Sequence, residues 1–247
     1  MRTSKKLILI SGTRKGIGKF LSEYFLEQGF IVCGCSRGKA SIIHANYRHF
    51  ELDISDEKAV KAMLRAIKTE FKTIDILINN AGIAAMNHIF TTPLDTAKRV
   101  FDTNFFGTFL LCREVTKMMS LAQKDHLRQN ATPLAFRIIN FSTVAVGLRL
   151  EGEAVYAASK ASVALFTQIL AKEIAPFHIS VNALAPTPVR TDLIKNVPDH
   201  KLDELLEKQV IKRFGTYEDV LHVIEFFMSE KSEFITGQVL YLGGVNG

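Results

Sequence analysis

The feature that most limits how this chain folds is a glycine-rich turn set between two different periodicities. Residues 7–11, Leu-Ile-Leu-Ile-Ser, read as a buried strand, and residues 19–28 read as a helix. Between them stands Gly12-Thr-Arg-Lys-Gly-Ile-Gly18. Glycines at that spacing let the backbone turn sharply, approach an anion closely and seat the following helix on the sheet. The free N–H groups and the positive dipole end of that helix then face the anion. The same turn without a ligand is an ordinary strand-to-helix connection, so its meaning depends on the rest of the chain.

The alternation continues to the C-terminus. Further strands are predicted at 31–35, 49–52, 74–79, 136–142, 179–184 and 238–242, with helices at 57–71, 155–175, 201–213 and 217–229 and two helical segments within 95–121. Strands joined through helices run parallel and are covered on both faces. The expected fold class is α/β: a Rossmann-type doubly wound parallel sheet of about seven strands, forming a single domain over residues 1–247. The polar stretch 123–133 reads as a helix end running into a surface loop.

Composition excludes several alternatives. No continuous apolar run approaches the roughly 18 residues of a membrane span. The basic start is followed by only four apolar residues, 7–10, too few for a signal-peptide core, so a cytoplasmic location is expected. The net charge of +6 is scattered rather than clustered and accompanies no nucleic-acid-binding motif, which points to tolerance of anionic ligands and not to nucleic acid. Cys33, Cys35 and Cys112 form no Cys-x-x-Cys pair and read as buried thiols, with no metal site implied.

The chemistry concentrates in Val155-Tyr-Ala-Ala-Ser-Lys160. Tyr156 and Lys160, four apart on a helix, share one face. An ammonium beneath a phenol favours the phenolate, which predicts a lowered Tyr156 pKa and a group able to give and retake a proton. At the end of the second strand, Cys35-Ser36-Arg37-Gly38 carries no carboxylate for a ribose hydroxyl, while Arg37, Arg14 and Lys15 offer cations for a 2′-phosphate. The predicted cofactor is NADP(H). The alternative for these cations is an ordinary solvated surface.

Assembled, these residues resemble the short-chain dehydrogenase/reductase family, most closely its 3-oxoacyl-[acyl-carrier-protein] reductase branch. The resemblance covers nearly the whole chain. It rests on Gly12-x-x-x-Gly16-x-Gly18, Asp53-Ile54, Asn79-Asn80-Ala81-Gly82, Asn104 and the Tyr156/Lys160 pair. Pro186 with Val189-Arg-Thr191 and the entry to the last strand, Phe234-Ile-Thr-Gly, complete it. It implies a catalytic set of Asn104, Thr143, Tyr156 and Lys160. Tyr156 would donate the proton, Lys160 would hold the nicotinamide ribose, and Asn104 would position a water. The implied cofactor contacts are Gly12, Thr13, Arg14, Lys15, Gly16, Ile17, Gly18, Ser36, Arg37, Asp53, Ile54, Asn80, Ala81, Gly82, Tyr156, Lys160, Pro186, Thr187, Val189 and Thr191.

Three departures from the family pattern stand out. Thr143 occupies the usual serine position with Ser142 beside it, and in a strand only one of them can face the site. Thr187 replaces a glycine that follows Pro186. Phe177, between Pro176 and His178, stands where the reductase branch often has an arginine for its carrier, leaving Lys124, Arg128 or Arg149 to compensate. The expected activity is reduction of a ketone, such as a 3-oxoacyl thioester or polyketide-like chain that an acyl carrier protein can present. The segment 192–214 is expected to act as a substrate lid through Leu202, Leu205, Leu206 and Val210. A polyol or sugar dehydrogenase and a non-catalytic NADP(H)-binding regulator remain alternatives. The family resemblance also implies a homodimer or homotetramer through the helices around 104–121 and 155–175.

Overall fold

The structure is a computed structural model that describes residues 5–129, 132–194 and 197–246. Among these residues seven strands form one sheet: β1 (Leu7–Ser11), β2 (Ile31–Ser36), β3 (Tyr47–Glu51), β4 (Ile76–Asn79), β5 (Phe136–Phe141), β6 (Ile179–Ala185) and β7 (Val239–Tyr241). All pair in parallel, in the order β3-β2-β1-β4-β5-β6-β7. The helices are α1 (Gly16–Glu27), α2 (Glu57–Phe71), α3 (Leu94–Phe101), α4 (Gly107–Leu127), α5 (Ala145–Leu148), α6 (Ala154–Ile174), α7 (Asp199–Glu207) and α8 (Tyr217–Met228).

Alternation along β1 explains the layers. Leu7 and Leu9 join Val60 and Leu64 of α2, Leu111 and Val115 of α4, and Leu170 of α6 in one core. Ile8 and Ile10 point the other way, to Leu21 and Phe25 of α1 and Ile224 and Phe227 of α8. The doubly wound single domain read from the sequence is therefore present. Local chemistry fixes where the helices begin. Asp56 caps α2 by accepting the Lys58 and Ala59 N–H groups, and Thr216 with Asp219 forms a capping box before α8. Strand order reverses beside β1, which pairs with β2 on one side and β4 on the other. The crevice beyond the strand ends at such a switch point is where doubly wound sheets bind ligands.

Several expected boundaries move. Helix α1 starts at Gly16, inside the glycine turn. The two segments expected within 95–121 are joined by a π-helical turn, Asp102–Phe106, and the second runs on to Leu127. The stretch 123–133 thus begins as helix, and residues 130 and 131 lie outside the described residues. The helix expected over 201–213 ends at Glu207, because the Val210 and Ile211 N–H groups turn to donate to the Gly243 carbonyl at 3.0 and 3.1 Å. Val210, expected on the apolar lid face, is consequently 77% exposed. No helix joins β2 to β3, and the short α5 was not expected.

The stretch Ala154–Phe177 has the length and apolar composition of a membrane span, which the reading of continuous apolar runs did not register. Here it is dominated by α6, whose buried face includes Ser159, Lys160 and Thr167 and packs on β6. A buried amide chain ties this helix to the sheet: Asn79 Nδ2 donates to Asn140 Oδ1 at 2.8 Å, and Asn140 Nδ2 to Thr167 Oγ1 at 2.9 Å.

The glycine turn tolerates no added side chain at Gly18, where a Cβ would lie 2.3 Å from the Gly12 carbonyl oxygen and 2.5 Å from Asn80 Nδ2. A backbone oxygen cannot swing aside, so Gly18→Ala should cost ~1–3 kcal/mol of unfolding free energy, measured by urea denaturation.

Candidate active site

Two adjoining cavities open at the C-terminal end of the sheet. The first, of about 580 Å³, is a cleft lined by the glycine turn, the end of β2 and the segment after β4. Of the residues expected to hold a dinucleotide, Gly12, Arg14, Lys15, Gly16, Ile17, Ser36, Arg37, Asp53, Ile54, Asn80, Ala81, Gly82 and Thr191 line it. Gly12 and Gly16 adopt φ of +78° and +59°, which L side chains avoid. A Cβ on Gly12 would come within 2.8 Å of Asn80 Nδ2, so only a bare backbone fits this floor. The residues fit a dinucleotide: a bare glycine turn at a helix start for a pyrophosphate, with Arg14 and Arg37 near the end of β2.

Not every expected contact reaches the cleft. Thr13 is fully buried, its Oγ1 accepting a hydrogen bond from the Tyr47 hydroxyl at 2.9 Å, and Gly18 packs below the turn. Tyr47 in turn meets His49 Nδ1 at 3.0 Å, while His49 Nε2 lies 3.3 Å from Ser36 Oγ and 2.9 Å from the Gly38 oxygen. This support beneath the β2 end was not foreseen. Its signal was Gly34, where a Cβ would sit 2.2 Å from the Tyr47 hydroxyl. Lys15 is committed elsewhere, to Asp192 Oδ2 at 2.6 Å.

The second cavity, of about 380 Å³, shares Ile17, Ala84, Thr191 and Leu193 with the cleft. Thr143, Tyr156, Pro186, Thr187 and Val189 line it, and Leu202 and Leu205 of α7 border it. Ser142 is turned away, its Oγ donating to the Lys160 carbonyl at 3.1 Å. Thr143 takes the cavity side, with its Oγ1 accepting from Ala145 N–H at 3.3 Å. Thr187 has no left-handed backbone, so the lost glycine causes no strain there; its hydroxyl donates to Gln209 Oε1.

Burial governs the titrating groups. Tyr156 is pushed up to about 12, chiefly by desolvation; a hydrogen bond with Thr143 pulls the other way, and the charge of Glu153 adds to the rise. This reverses the lowered value expected from Lys160. The lysine ammonium instead donates to the Phe141 carbonyl at 2.8 Å, and burial brings Lys160 itself down to about 8. Asn104 and Lys160 meet behind Gly82, where a Cβ would be 3.2 Å from Asn104 Oδ1 and 3.3 Å from Lys160 Nζ. The Asn104 amide is occupied: Oδ1 accepts the Ile83 N–H at 2.8 Å, and Nδ2 donates to the Ile83 carbonyl and to Ser159 Oγ. It braces the cleft wall through Ile83 and ties it to α6 through Ser159.

One residue of the second cavity escaped the sequence reading. Glu153, three residues before Tyr156 and only 7% exposed, lines the wall. Burial raises its carboxyl to about 7, opposed by the Lys201 charge. An acid whose folded pKa lies above its unfolded value contributes stability below the unfolded value and loses it as pH rises through the folded one. Glu153→Gln should therefore abolish a loss of ~2–3 kcal/mol between about pH 4.5 and 7, read as the difference in urea unfolding between the variant and the parent protein.

Comparison with known proteins fits this geometry. A family model described as enoyl-(acyl carrier protein) reductase matches residues 12–246. The 3-oxoacyl-[acyl-carrier-protein] reductase of Staphylococcus epidermidis is 30% identical over 249 residues, 97% of this chain and 98% of the relative. The 3-ketoacyl-(acyl-carrier-protein) reductase of Brucella melitensis, solved with NADH, superposes with a TM-score of 0.86 at 26% identity, covering 97% of each chain. ElxO, solved with NADP bound, gives a TM-score of 0.84 at 29% identity, covering 97% of this chain and 98% of that one. Glycine turn, seven-stranded sheet and full-length matches agree: the chain belongs to the short-chain dehydrogenase/reductase family of oxidoreductases.

Proposed function

We propose that this protein reduces a ketone to a secondary alcohol with NADPH. The observation that carries this reading is that Tyr156 and Thr143 together line a cavity that adjoins the dinucleotide cleft. The chemistry supplied by bound NADPH is a hydride for the carbonyl carbon. Tyr156 gives its phenolic proton to the carbonyl oxygen as negative charge develops there, and Thr143 donates a hydrogen bond to the same oxygen. A phenol held near 12 stays protonated at neutral pH, which suits a proton donor. Lys160 and Asn104 lie behind Gly82: the amine would hold the nicotinamide ribose on turning from the Phe141 carbonyl, and the amide fixes Ile83.

Arg14 and Arg37 favour the 2′-phosphate of NADPH, with Ser36 completing the subsite; Lys15 must leave Asp192 to join them. The apolar wall of Leu150, Leu202 and Leu205 suits an acyl or polyketide-like chain, with 192–214 as its lid, of which residues 195 and 196 lie outside the described residues. Carrier presentation is supported by Lys201 and Lys208 on the cavity lining, which suit an anionic arm. Phe177 contributes differently from an arginine, since its ring lies 5.5 Å under the Lys124 amine. Exposed Phe106, Leu121, Leu165 and Ile169 on or beside α4 and α6 support a homo-oligomer through those helices. A cytoplasmic reductase fits this reading. Polar Glu153 in the wall supports the second reading, oxidation of a hydroxylated substrate in the reverse direction.

Tyr156→Phe should lower ketone-dependent NADPH oxidation roughly 100-fold or more while the protein stays folded by circular dichroism. Near-parental turnover ends the proton-donor role. Arg37→Ala should raise KM for NADPH about 10-fold and leave that for NADH nearly unchanged, in steady-state assays with both cofactors. Alcohol oxidation needs the phenolate, so its rate should climb with pH toward the Tyr156 pKa of about 12, whereas reduction should not rise with pH.

A further inference from the structure

Within the second cavity Glu153 is out of character with its surroundings. The other charged lining residues, Glu151, Lys201, Glu204 and Lys208, are exposed at the rim, whereas Glu153 is more than nine-tenths buried. It occupies the N-cap position of α6, yet its carboxylate accepts none of the free N–H groups of that helix. Among the described residues no side chain or backbone group hydrogen-bonds its carboxyl oxygens, which keep access to the cavity. Lys201 approaches from α7 over Gly152, where a Cβ would lie 3.5 Å from the amine, and attracts Glu153 only through its charge. Tyr156 and Thr143 face the same space.

A buried carboxylate without hydrogen-bonded partners is costly, and covering it with hydrocarbon makes it costlier. A simple alkyl ketone filling this cavity would do that. A ketone with a hydroxyl or protonated amine beside the reacting carbonyl would instead satisfy the oxygens, and charge-assisted hydrogen bonds of this kind are among the stronger ones. A substrate carboxylate at the same point would be repelled. Sites that hold a buried polar group reject analogues lacking its partner more strongly than apolar pockets reject a change of size.

We infer that Glu153 is a specificity residue, selecting ketones that carry a hydrogen-bond donor, hydroxyl or ammonium, close to the carbonyl being reduced. The inference rests on the ketone-reductase reading and narrows its substrate class from plain acyl chains to hydroxy- or aminoketones.

The test compares 4-hydroxybutan-2-one, 4-aminobutan-2-one and the isosteric pentan-2-one with NADPH and the parental protein, Glu153→Gln and Glu153→Leu. The parental protein should favour both donor-bearing ketones over pentan-2-one by roughly 10-fold or more in kcat/KM. Glu153→Leu should bring both ratios close to one. Glu153→Gln, which retains an acceptor oxygen but no charge, should keep the hydroxyl preference and lose the amine preference, and it serves if the leucine variant does not fold. Turnover without discrimination, or ratios unchanged in the variants, overturns the inference and leaves the reductase reading intact. If no ketone is turned over, calorimetric binding to the protein–NADPH complex separates the two claims. Preferential binding there supports Glu153 while the reductase reading fails, and equal or absent binding overturns the inference.

Discussion

The site depends on how helix α6 is fastened to the end of β5. Three consecutive residues make the attachment. Asn140 Nδ2 donates to Thr167 Oγ1, the Phe141 carbonyl accepts from Lys160 Nζ, and Ser142 Oγ donates to the Lys160 carbonyl. All three bonds are buried. Each contributes only about 1 kcal/mol net, but leaving one partner unpaired costs about 1–3 kcal/mol, so the register of helix against strand is strongly specified. With Ser142 spent on the attachment, Thr143 is the next hydroxyl available, and Tyr156, one helical turn before Lys160, is brought opposite it. Just past the end of β5, Ser142 and Thr143 turn to different sides, the first to α6 and the second to the cavity.

This arrangement changes the meaning of the Tyr156/Lys160 pair. On the helix surface alone, an amine four residues from a phenol suggests direct electrostatic tuning. In the folded chain the same four-residue spacing lets Lys160 reach the Phe141 carbonyl, and desolvation dominates both groups. The tyrosine stays protonated at neutral pH, with Thr143 beside it on the cavity wall.

Much of this was legible in the residues. The glycine turn, the alternation of periods and the Asn-Asn-Ala-Gly run led to the sheet and its cleft, because each follows from backbone geometry that only a few residue types allow. Helix α2 was read to the residue, and the structure adds that Asp56 caps its start. What stayed hidden depends on contacts between distant segments. The early end of α7 follows from bonds to Gly243, which no local pattern near 208 records. Asn104 could be placed but not its duties, since these depend on Ile83 and Ser159. Glu153 was overlooked because a glutamate at a helix start ordinarily faces solvent; here it lines the wall of a cavity whose other side is built by the distant α7.

The ion pair between Lys15 and Asp192 joins the glycine turn to the stretch that leads into α7. Both side chains are more than half exposed, at 57% and 59%, so water and salt compete for them and the pair adds little to stability. Its importance is geometric. A dinucleotide phosphate that drew Lys15 to itself would release Asp192, so occupancy of the cleft and the tether on the neighbouring segment are alternatives for one ammonium.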